Sequence, residues 1–405
     1  MTGRSRTLAR VSAGRLCAGC GACASIAPGK IVMQRSQDGF LRPKQRAALS
    51  VDEEQTLSAV CPGIGVSKEA SAGADDPFWG PVRAIEIGHA ADAGLRFNGA
   101  SGGALSAMLM FLLRAKYVDE VLHVGPDPTR PTENRMFLSH TRESLVRNAA
   151  SRYAPSSPLS VVSALLESES RFAFVGKPCD VAALRALARI DARVDERFPV
   201  MLSFFCAGTP SSNGAIKIAR SLGIEKDRIA GFRYRGKGWP GETVVRSDDD
   251  RTGRMSYNDS WGRILSGLVQ PRCKLCADGV GATADIVFAD AWHCDPAGYP
   301  DFAEADGQSL ILARTNLGER LLVQAKLNAH IVSRRAALDQ LAAMQPGQHR
   351  RKRVLAARLL ALAVLFRPRP RYRGLGVWQS VRAARPGELL RNFVGMGRRV
   401  LTRQM

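Results

Sequence analysis

Short apolar runs alternate with longer amphipathic segments through the middle of the chain. The runs at 120–124, 172–175 and 200–205 are β-rich, and each ends at a turn or a glycine. Patterns typical of helices lie between them, for example at 105–116 and 181–190. This alternation predicts an α/β fold of mixed (α+β) character, in which helices form layers on a partly parallel sheet.

Composition divides the chain of 405 residues into four parts. Residues 1–66 form a small segment with four of the nine cysteines, and 67–81 have the Ser, Ala, Gly and Asp content of a linker. Residues 82–333 are predicted to form the body. Residues 334–405 form a basic, helical tail with 17 Lys and Arg against two acids, so it carries +15 of the formal net charge of +21. Because the body is only mildly basic, nucleic-acid binding is disfavoured.

The hydrophobic segments also indicate where in the cell the protein is expected. No hydrophobic segment follows the basic start at 1–15, which predicts the absence of a secretory signal. The longest apolar run near the C-terminus, 354–366, contains Arg358 and is shorter than the roughly 20 residues that span a bilayer. We therefore expect a cytoplasmic protein, soluble or peripheral at the inner face of the membrane. In that compartment, nine cysteines favour metal ligation or redox chemistry over disulfides.

Three cysteines near the N-terminus, Cys17, Cys20 and Cys23, follow one another at intervals of three residues. A bacterial ferredoxin run has this spacing and continues to a fourth cysteine before a proline. Here that fourth place is Ala27, so we assign the missing ligand to Cys61 and predict one 4Fe-4S cluster in a ferredoxin-like segment. Structural zinc and simple packing of small thiols are the alternatives.

A second group of cysteines lies in the body. Two follow predicted strands and two form a C-x₂-C pair in a glycine-flanked loop: Cys179, Cys206, Cys273 and Cys276. Four thiolates are the complement of a second 4Fe-4S cluster, whose negative charge Arg272 and Lys274 would offset. A lone C-x₂-C pair is equally compatible with half of a zinc site or a dithiol motif. Cys294 is then left over, and we predict that it is a spare core thiol.

Two loops carry signals for an anionic, planar ligand. The run 98–103 contains three glycines and leads directly into a predicted helix, whose N-terminus favours phosphate; ordinary helix capping is the alternative. The run 233–241 contains three cations and two aromatic residues, which suit stacking on a flat ring or form a basic surface turn. Asp278 and Asp290 are the nearest carboxylates, and each either orients a donor, carries a proton or only caps a turn.

Taken together, these blocks resemble the coenzyme F420 hydrogenase/dehydrogenase beta subunit family. The resemblance covers roughly residues 12 to 325 and depends on the order and spacing of the blocks at 101–103, 176–179, 205–208, 233–241, 273–279 and 289–292. It implies an iron-sulfur flavoprotein that binds FAD, passes single electrons through 4Fe-4S clusters, and exchanges a hydride with a deazaflavin or reduces another substrate. A reductase of a chlorophyll side chain, 7-hydroxymethyl chlorophyll a reductase, is similar in the same blocks.

The resemblance also implies roles for individual residues. Cys179, Cys206, Cys273 and Cys276 would ligate the inner cluster, and Lys177, Asp278 and Asp290 are the candidate catalytic residues. The candidate FAD contacts are Asn98, Ser101, Gly102, Gly103, Ser151, Arg152, Tyr153, Lys177, Pro178, Arg235 and Trp239. Arg152 departs from the family, which usually has Lys there. Ala27 departs as well, which disfavours a further ferredoxin-type cluster at the N-terminus.

The sequence thus predicts an FAD-dependent iron-sulfur oxidoreductase whose partner is ferredoxin or another redox protein. One alternative is a ferredoxin-docking electron-transfer subunit of a larger complex, without a substrate of its own. Another is a zinc-stabilised scaffold that binds membrane or nucleic acid. In the tail, residues 350–373 combine four successive basic residues with an apolar run, which predicts either a membrane-surface helix or a solvated helix packed on the body.

Overall fold

The computed structural model describes residues 3–69, 74–294 and 301–402. The helices are α1 (Arg6–Ala13), α2 (Ala22–Ile26), α3 (Val51–Val60), α4 (Ala93–Asn98), α5 (Ala104–Arg114), α6 (Arg142–Asn148), α7 (Val162–Leu166), α8 (Pro178–Ala188), α9 (Arg193–Arg197), α10 (Ser212–Ser221), α11 (Asn316–Leu327), α12 (Leu341–Met344), α13 (Pro346–Arg353), α14 (Leu355–Val364) and α15 (Pro386–Leu401). The strands are β1 (Ile31–Arg35), β2 (Leu41–Gln45), β3 (Gly65–Ser67), β4 (Ala74–Asp76), β5 (Gly80–Val82), β6 (Ala84–Ala90), β7 (Glu120–Pro126), β8 (Asn134–Ser139), β9 (Phe172–Gly176), β10 (Val200–Phe204), β11 (Ile229–Arg233), β12 (Thr243–Ser247), β13 (Thr252–Met255), β14 (Ile286–Asp290), β15 (Ser309–Ala313), β16 (Ile331–Arg335) and β17 (Arg371–Arg373).

An eight-stranded mixed sheet forms the centre of the body, in the order β16-β6-β15-β14-β10-β9-β7-β8. The inner strands β14, β10, β9 and β7 are parallel, and the strands on both sides of them are antiparallel. The predicted mixed α/β fold is therefore confirmed. The three apolar runs are β7, β9 and β10, and the two helical patterns are α5 and α8.

Both faces of the central sheet are covered, as strand β9 illustrates. Ala173 and Val175 pack into one hydrophobic cluster with α5 and α11. Phe172 and Phe174 point to the opposite face and pack with α7 and α8. Because successive side chains of a strand point to opposite faces, a continuous apolar run is what a sheet buried on both sides requires.

The N-terminal segment packs beside this body. Strands β1 and β2 form an antiparallel hairpin, and α3 begins with a capping box in which the Ser50 and Glu53 side chains satisfy each other's backbone N–H groups. Cys61 follows directly at the end of α3. The helix thereby brings Cys61 back towards the N-terminal cysteine run, and Cys61 packs in one cluster with Cys23.

The tail is integrated with the rest of the protein and is not the appendage that its composition suggests. Strand β17 pairs in parallel with β3 of the N-terminal segment. Leu359 and Leu362 of α14 are buried in a cluster that also contains Leu16 and Leu275. The apolar run of the tail therefore covers the junction between the N-terminal segment and the cysteine loop of the body. None of the helices in the described ranges is long and apolar enough to cross a membrane.

Candidate functional site

The parallel strands β9, β10 and β14 end at the same edge of the central sheet. Lys177 follows β9, Cys206 lies two residues beyond β10, and Asp290 is the last residue of β14. In open α/β sheets, ligands bind at the carboxyl ends of such strands. The fold thus brings together three blocks that are far apart in the sequence.

A cavity of about 290 Å³ lies at this edge. Its walls include eight of the residues predicted to bind a cofactor or to act in catalysis: Ser101, Gly103, Ser151, Arg152, Tyr153, Lys177, Arg235 and Asp290. Asn98, Gly102, Pro178, Trp239 and Asp278 do not line it. A mostly apolar cavity with a few polar groups is typical of a small-molecule or cofactor site.

Lys177 provides a buried positive charge in the cavity wall. Its Nζ lies 2.7 Å from Asp180 Oδ2 and 3.1 Å from Ser156 Oγ. Burial acts to lower the pKa of Lys177, but the neighbouring Asp180 carboxylate reverses this and raises the pKa above its ordinary value. Lys177 is therefore held as a cation, and its position at the N-terminus of α8 is fixed because Asp180 also accepts a bond from the Lys177 backbone N–H.

Arg235 and Asp290 form a buried ion pair in the cavity wall. Arg235 Nη1 and Nη2 donate to Asp290 Oδ2 and Oδ1 at 2.9 and 2.7 Å, and Trp239 Nε1 donates to Oδ1 at 2.8 Å. The guanidinium also lies over the Tyr257 and Trp292 rings, at 4.8 and 5.1 Å from their centres. This geometry favours an orienting role for Asp290 over a proton-carrying one. Trp239 does not line the cavity itself, but it supports two residues that do: it donates to Asp290 and stacks on Trp292, with ring centres 5.0 Å apart.

Arg152 lines the cavity, and its guanidinium is hydrogen-bonded to neighbouring groups of the protein. The group donates to the Asn134 side chain at 2.9 Å and to three backbone carbonyls, those of Pro131, Glu133 and Phe232. Its donors are thus largely used within the protein. The neighbouring Tyr153 is half-buried and packs against Trp261, with ring centres 4.7 Å apart.

The glycine-rich loop at 98–103 approaches the cavity with its backbone. The backbone of Gly103 has the left-handed conformation, with φ of +72°. A Cβ there would lie 2.4 Å from the Leu95 carbonyl oxygen, so only glycine fits this position. Ser101 Oγ donates to the Ala289 carbonyl at 2.8 Å. Asn98 instead donates to the Gly94 carbonyl within its own helix, which makes it a local stabiliser of α4.

The four body cysteines line one small cavity beside the large one. Cys179, Cys206, Cys273 and Cys276 all contact it, and Cys206 lines both cavities. Burial raises the pKa of Cys206 to about 12 and also raises the pKa of Cys179 and of Cys276. Asp278 lies here and not at the large cavity. Both of its carboxylate oxygens accept a bond from the Ala282 N–H, as in a turn.

The N-terminal cysteines also converge. Burial raises the pKa of Cys23, and the neighbouring Cys17 and Cys61 thiols add to this effect. Burial also raises the pKa of Cys20, with contributions from Cys61 and Cys23. Burial, followed by the charge of Cys17, raises the pKa of Cys61 to about 11. In the described residues, no three His, Cys, Asp or Glu side chains are arranged closely enough to hold a single metal ion.

Arg272 lies between the two groups of cysteines. One of its terminal nitrogens, Nη2, donates to the Pro62 carbonyl, next to Cys61, at 2.9 Å. Burial acts to lower the pKa of Arg272, but Tyr372, followed by the Cys276, Cys179 and Cys273 thiols, outweighs burial and raises the pKa. The Arg272 Nε is buried and has no hydrogen-bond partner among the residues that the structure describes. A buried donor without a partner is costly, so this atom points to a group that the protein alone does not supply.

Cys294 corrects one prediction. The sequence suggests a spare core thiol, but Cys294 is exposed. The reason is its position four residues beyond the end of β14, where the chain has left the sheet. Burial continues through Ala291 and Trp292 beyond the strand and ends before Cys294.

Several cavity residues have no signal in the local sequence. Tyr257 and Trp261 enter from a π-helical turn, and Gln345 and Gln348 enter from the tail. Gln345 Nε2 donates to the Asp290 carbonyl at 2.7 Å, and Gln348 Nε2 donates to the Cys206 carbonyl at 3.1 Å. Tyr257 and Trp261 are aromatic residues in a polar stretch, which is a weak sign of a ligand wall. The two glutamines offer no sign at all.

Known proteins match this chain over the region that contains most of the cavity residues. Two family models, both described as the beta subunit of coenzyme F420 hydrogenase/dehydrogenase, match the chain: the N-terminal one matches residues 87–163 and the C-terminal one matches residues 169–337. Two similar curated proteins come from Methanocaldococcus jannaschii. The Coenzyme F420-dependent sulfite reductase is 24% identical over 238 residues, which are 55% of this chain and 34% of that protein. The F420-dependent formate dehydrogenase subunit beta is 29% identical over 129 residues, which are 32% of this chain and 34% of that protein.

The chain thus spans about a third of the length of the curated relatives that it matches. Among solved structures, a chain of the F420-reducing NiFe hydrogenase complex from Methanosarcina barkeri has 18% sequence identity and a TM-score of 0.53. The match covers 70% of this chain and 95% of that chain. At this identity the structural match establishes a shared fold.

Proposed function

Because the chain belongs to the coenzyme F420 hydrogenase/dehydrogenase beta subunit family, we propose that it is an FAD-dependent oxidoreductase with two 4Fe-4S clusters. Membership of this family implies electron transfer in a redox system. The proposal adds the cofactors, the residues that bind them and a deazaflavin, or another organic acceptor or donor, as the substrate. Ferredoxin or another redox protein would exchange electrons with the clusters.

One observation carries the proposal. The four body cysteines come from separate parts of the sequence, yet they line a single small cavity that shares Cys206 with the large one. Their number matches the ligands of one 4Fe-4S cluster. Such a cluster binds each thiolate to a different iron and so holds its thiols farther apart than one zinc ion does. That spacing is compatible with thiols that do not converge on a single-ion site.

The buried donors support a cluster at this position. The Arg272 Nε lacks a partner beside the body cysteines, and the Thr209 backbone N–H donates to Cys273 Sγ at 3.3 Å. Iron-sulfur clusters are stabilised by N–H groups directed at sulfur, and these also tune the reduction potential. Arg272 would offset the negative charge of the cluster without needing a carboxylate partner.

The residues of the large cavity suit a flavin. When bound, FAD would exchange a hydride with the substrate and single electrons with the clusters. Ser101 and Gly103 would contact its phosphate or ribityl part through backbone N–H groups at the start of α5. Lys177 would place a fixed positive charge near the ring, and Arg235 with Asp290 would hold the aromatic wall of Tyr257 and Trp292 in place.

The positions of the cysteine groups suggest an order of electron transfer. Ala18, within the N-terminal cysteine run, lines the small cavity of the body cysteines. Gln270 ties the two regions together, because its Nε2 donates to the Ala18 carbonyl at 3.0 Å. Cys206 then contacts the flavin cavity. We infer a path from the N-terminal cluster to the inner cluster and on to the flavin, or the reverse.

Anaerobic purification tests the proposal directly. We expect about eight irons and one FAD per chain, with acid-labile sulfide equal to iron. Cys206→Ser should halve the iron content and bleach the inner cluster, and Cys17→Ser should remove only the N-terminal cluster. Cys294→Ser is the matched control, because Cys294 is outside both groups, and it should keep full iron and flavin. Zinc in place of iron, or full iron in both cluster variants, would contradict the proposal.

A second candidate function is an electron-transfer subunit without a substrate of its own. The observation that favours it is that one curated relative is itself a subunit, the F420-dependent formate dehydrogenase subunit beta, and that the matching solved structure is one chain of a hydrogenase complex. Reduction of coenzyme F420 by the isolated, dithionite-reduced protein distinguishes the two. Turnover by the chain alone supports the oxidoreductase. Turnover only after addition of a separate substrate-binding protein supports the subunit.

A further inference from the structure

The C-terminal tail exposes an unusual number of large apolar side chains. In the described part of the tail from residue 350 onward they are Leu360, Val364, Phe366, Trp378, Leu390, Val394 and Leu401. Phe366 is 95% exposed. Single exposed apolar residues need no explanation, but a group of them on neighbouring elements marks an interaction surface.

Five of these side chains belong to α14 and α15, two helices that pack side by side, and Phe366 and Trp378 lie in the segment that connects them. The Arg353 guanidinium donates to the Glu388 carboxylate at 3.0 Å, and further along Arg358 donates to Asn392 Oδ1 at 2.8 Å. The order of these contacts shows that α14 and α15 run in the same direction. Their C-terminal ends therefore lie together, and they carry the exposed Phe366 and Leu401.

The outer face of α15 mixes aliphatic and basic residues. Leu390, Arg391, Val394, Arg398 and Leu401 are all exposed, and their spacing places them along one side of the helix. The inner side is held by the buried Met396 and by the Glu388 ion pair. The exposed face thus has no partner among the described residues.

Positive charge surrounds this surface. Between 350 and 402 the only acidic residue is Glu388, which is buried and paired with Arg353. Exposed arginines in this stretch are Arg350, Arg367, Arg369, Arg371, Arg373, Arg382, Arg385, Arg391 and Arg398. The N-terminal helix adds to them, since Arg10 Nη2 donates to the Arg369 carbonyl at 3.3 Å.

We propose that the outer face of α14 and α15, with the segment that connects them, binds the surface of an anionic lipid bilayer. Aliphatic and aromatic side chains interspersed with arginine are the chemistry of an interfacial membrane helix, in which apolar groups enter the headgroup boundary and cations contact anionic lipid. A nucleic acid would bind the arginines through its phosphates, but nucleic-acid binding does not explain why Leu390, Val394 and Leu401 are exposed on the same face.

The binding surface differs from the one that the sequence suggests. Leu355, Leu359 and Leu362 of the apolar run are buried in the protein core and are unavailable to lipid. Removing the tail after Gln345 would therefore expose that core and damage the fold. Point variants of the full-length protein are the appropriate test, and because the readout is lipid binding, the result is independent of the cofactors.

Vesicle flotation measures the binding. Full-length protein is mixed with vesicles of phosphatidylcholine alone or with added phosphatidylglycerol, at low and high salt. We expect the wild type to float with the anionic vesicles and to be released by salt, because the electrostatic attraction is screened. Equal binding to neutral vesicles, or no binding to either kind, would overturn the proposal.

Matched variants assign the surface. Val394→Ser with Leu401→Ser removes side chains that are 57% and 75% exposed. Val332→Ser with Leu327→Ser removes side chains that are 53% and 74% exposed elsewhere on the protein. The tail variant should lose about tenfold or more in vesicle affinity, given the apolar area withdrawn from lipid, while the control keeps wild-type affinity. An equal loss in both variants, or none in the tail variant, contradicts the proposal. Self-association through this face, abolished in the tail variant without vesicle binding, also contradicts it.

Discussion

Arg235 and Asp290 are joined by two nearly parallel hydrogen bonds, at 2.9 and 2.7 Å, although they lie on different elements 55 residues apart. The Arg235 side chain is buried and the Asp290 side chain is nearly so. Removal of either partner should lower the free energy of unfolding substantially, because the remaining charge would lie uncompensated in a poorly solvated site. It therefore fixes the wall of the large cavity.

Replacement of Asp290 by asparagine tests this wall. We expect Asp290→Asn to lower the free energy of unfolding by about 3 kcal/mol, since it leaves the Arg235 charge uncompensated. Glu242→Gln breaks the exposed pair with Arg254, whose atoms lie 3.2 Å apart, and should cost less than about 1 kcal/mol. Denaturant unfolding, followed by fluorescence, compares the two. An equal cost for both variants would mean that the buried pair is not structural.

Lys177 should govern the affinity for flavin. Lys177→Met removes the cation from the cavity wall, and we expect flavin binding to weaken by at least about tenfold, or about 1.4 kcal/mol, for the loss of a charge-assisted contact. Ser156→Ala removes only the neighbouring hydroxyl, 3.1 Å from Lys177 Nζ, and should change the affinity far less. Titration of the flavin-depleted protein with FAD measures both. If Lys177→Met and the wild type bound FAD with similar affinity, the flavin ring would not lie beside Lys177.

Arg351 should influence the inner cluster from the tail. Its Nη1 donates to the Cys206 carbonyl at 3.0 Å and its Nη2 to the Ala207 carbonyl at 2.7 Å. In Arg351→Gln, loss of the positive charge should lower the midpoint potential of the inner cluster by on the order of 60 mV, a tenfold change in a one-electron equilibrium. The control is Arg350→Gln, because Arg350 is exposed and interacts with Glu388 instead. Redox titration with electron paramagnetic resonance should show the shift for the inner cluster alone.

His123 should make the stability sensitive to acid. Its side chain lines the large cavity, and burial lowers its pKa from 6.5 to about 4. The unfolded chain therefore takes up a proton at a higher pH than the folded protein does, so stability is lost as the pH falls below the unfolded pKa. The loss attributable to His123 should reach about 2 kcal/mol between about pH 8 and about pH 5.

A comparison of variants isolates this effect. Denaturant unfolding of wild type, His123→Gln and His140→Gln across that pH range gives the contribution of each imidazole. His140 is exposed and serves as the control. The wild type and His140→Gln should lose more stability on acidification than His123→Gln. Parallel pH profiles for all three would show that His123 is not protected from protonation.

Local patterns in the sequence predicted much of the fold. Strands β7, β9 and β10 are buried on both faces, so their continuous apolar runs are visible without any structure. Cysteines that follow two such strands could be expected to meet, because β9 and β10 are adjacent and parallel. These inferences needed only the periodicity and the direction of neighbouring strands.

Other parts of the site depend on distant contacts and had no local signal. Arg235 lies in a basic, glycine-rich run that resembles a surface turn, and its burial depends on the distant Asp290 carboxylate and on the Tyr257 and Trp292 rings. The run at 354–366 is apolar, and its pattern does not tell whether protein or lipid covers it. Gln345 and Gln348 reach the cavity from the tail, which packs against the rest of the protein and whose strand β17 pairs with β3 of the N-terminal segment.

That pairing has a consequence for the timing of assembly in the cell. A protein is synthesised from its N-terminus, and its early segments can fold while the rest is still being made. Here β3 must wait for β17, and the cavity lacks Gln345 and Gln348 until most of the chain has left the ribosome. We therefore expect newly made chains to acquire their cofactors only after synthesis is nearly complete, and a ribosome stalled before residue 345 to carry a chain unable to retain flavin.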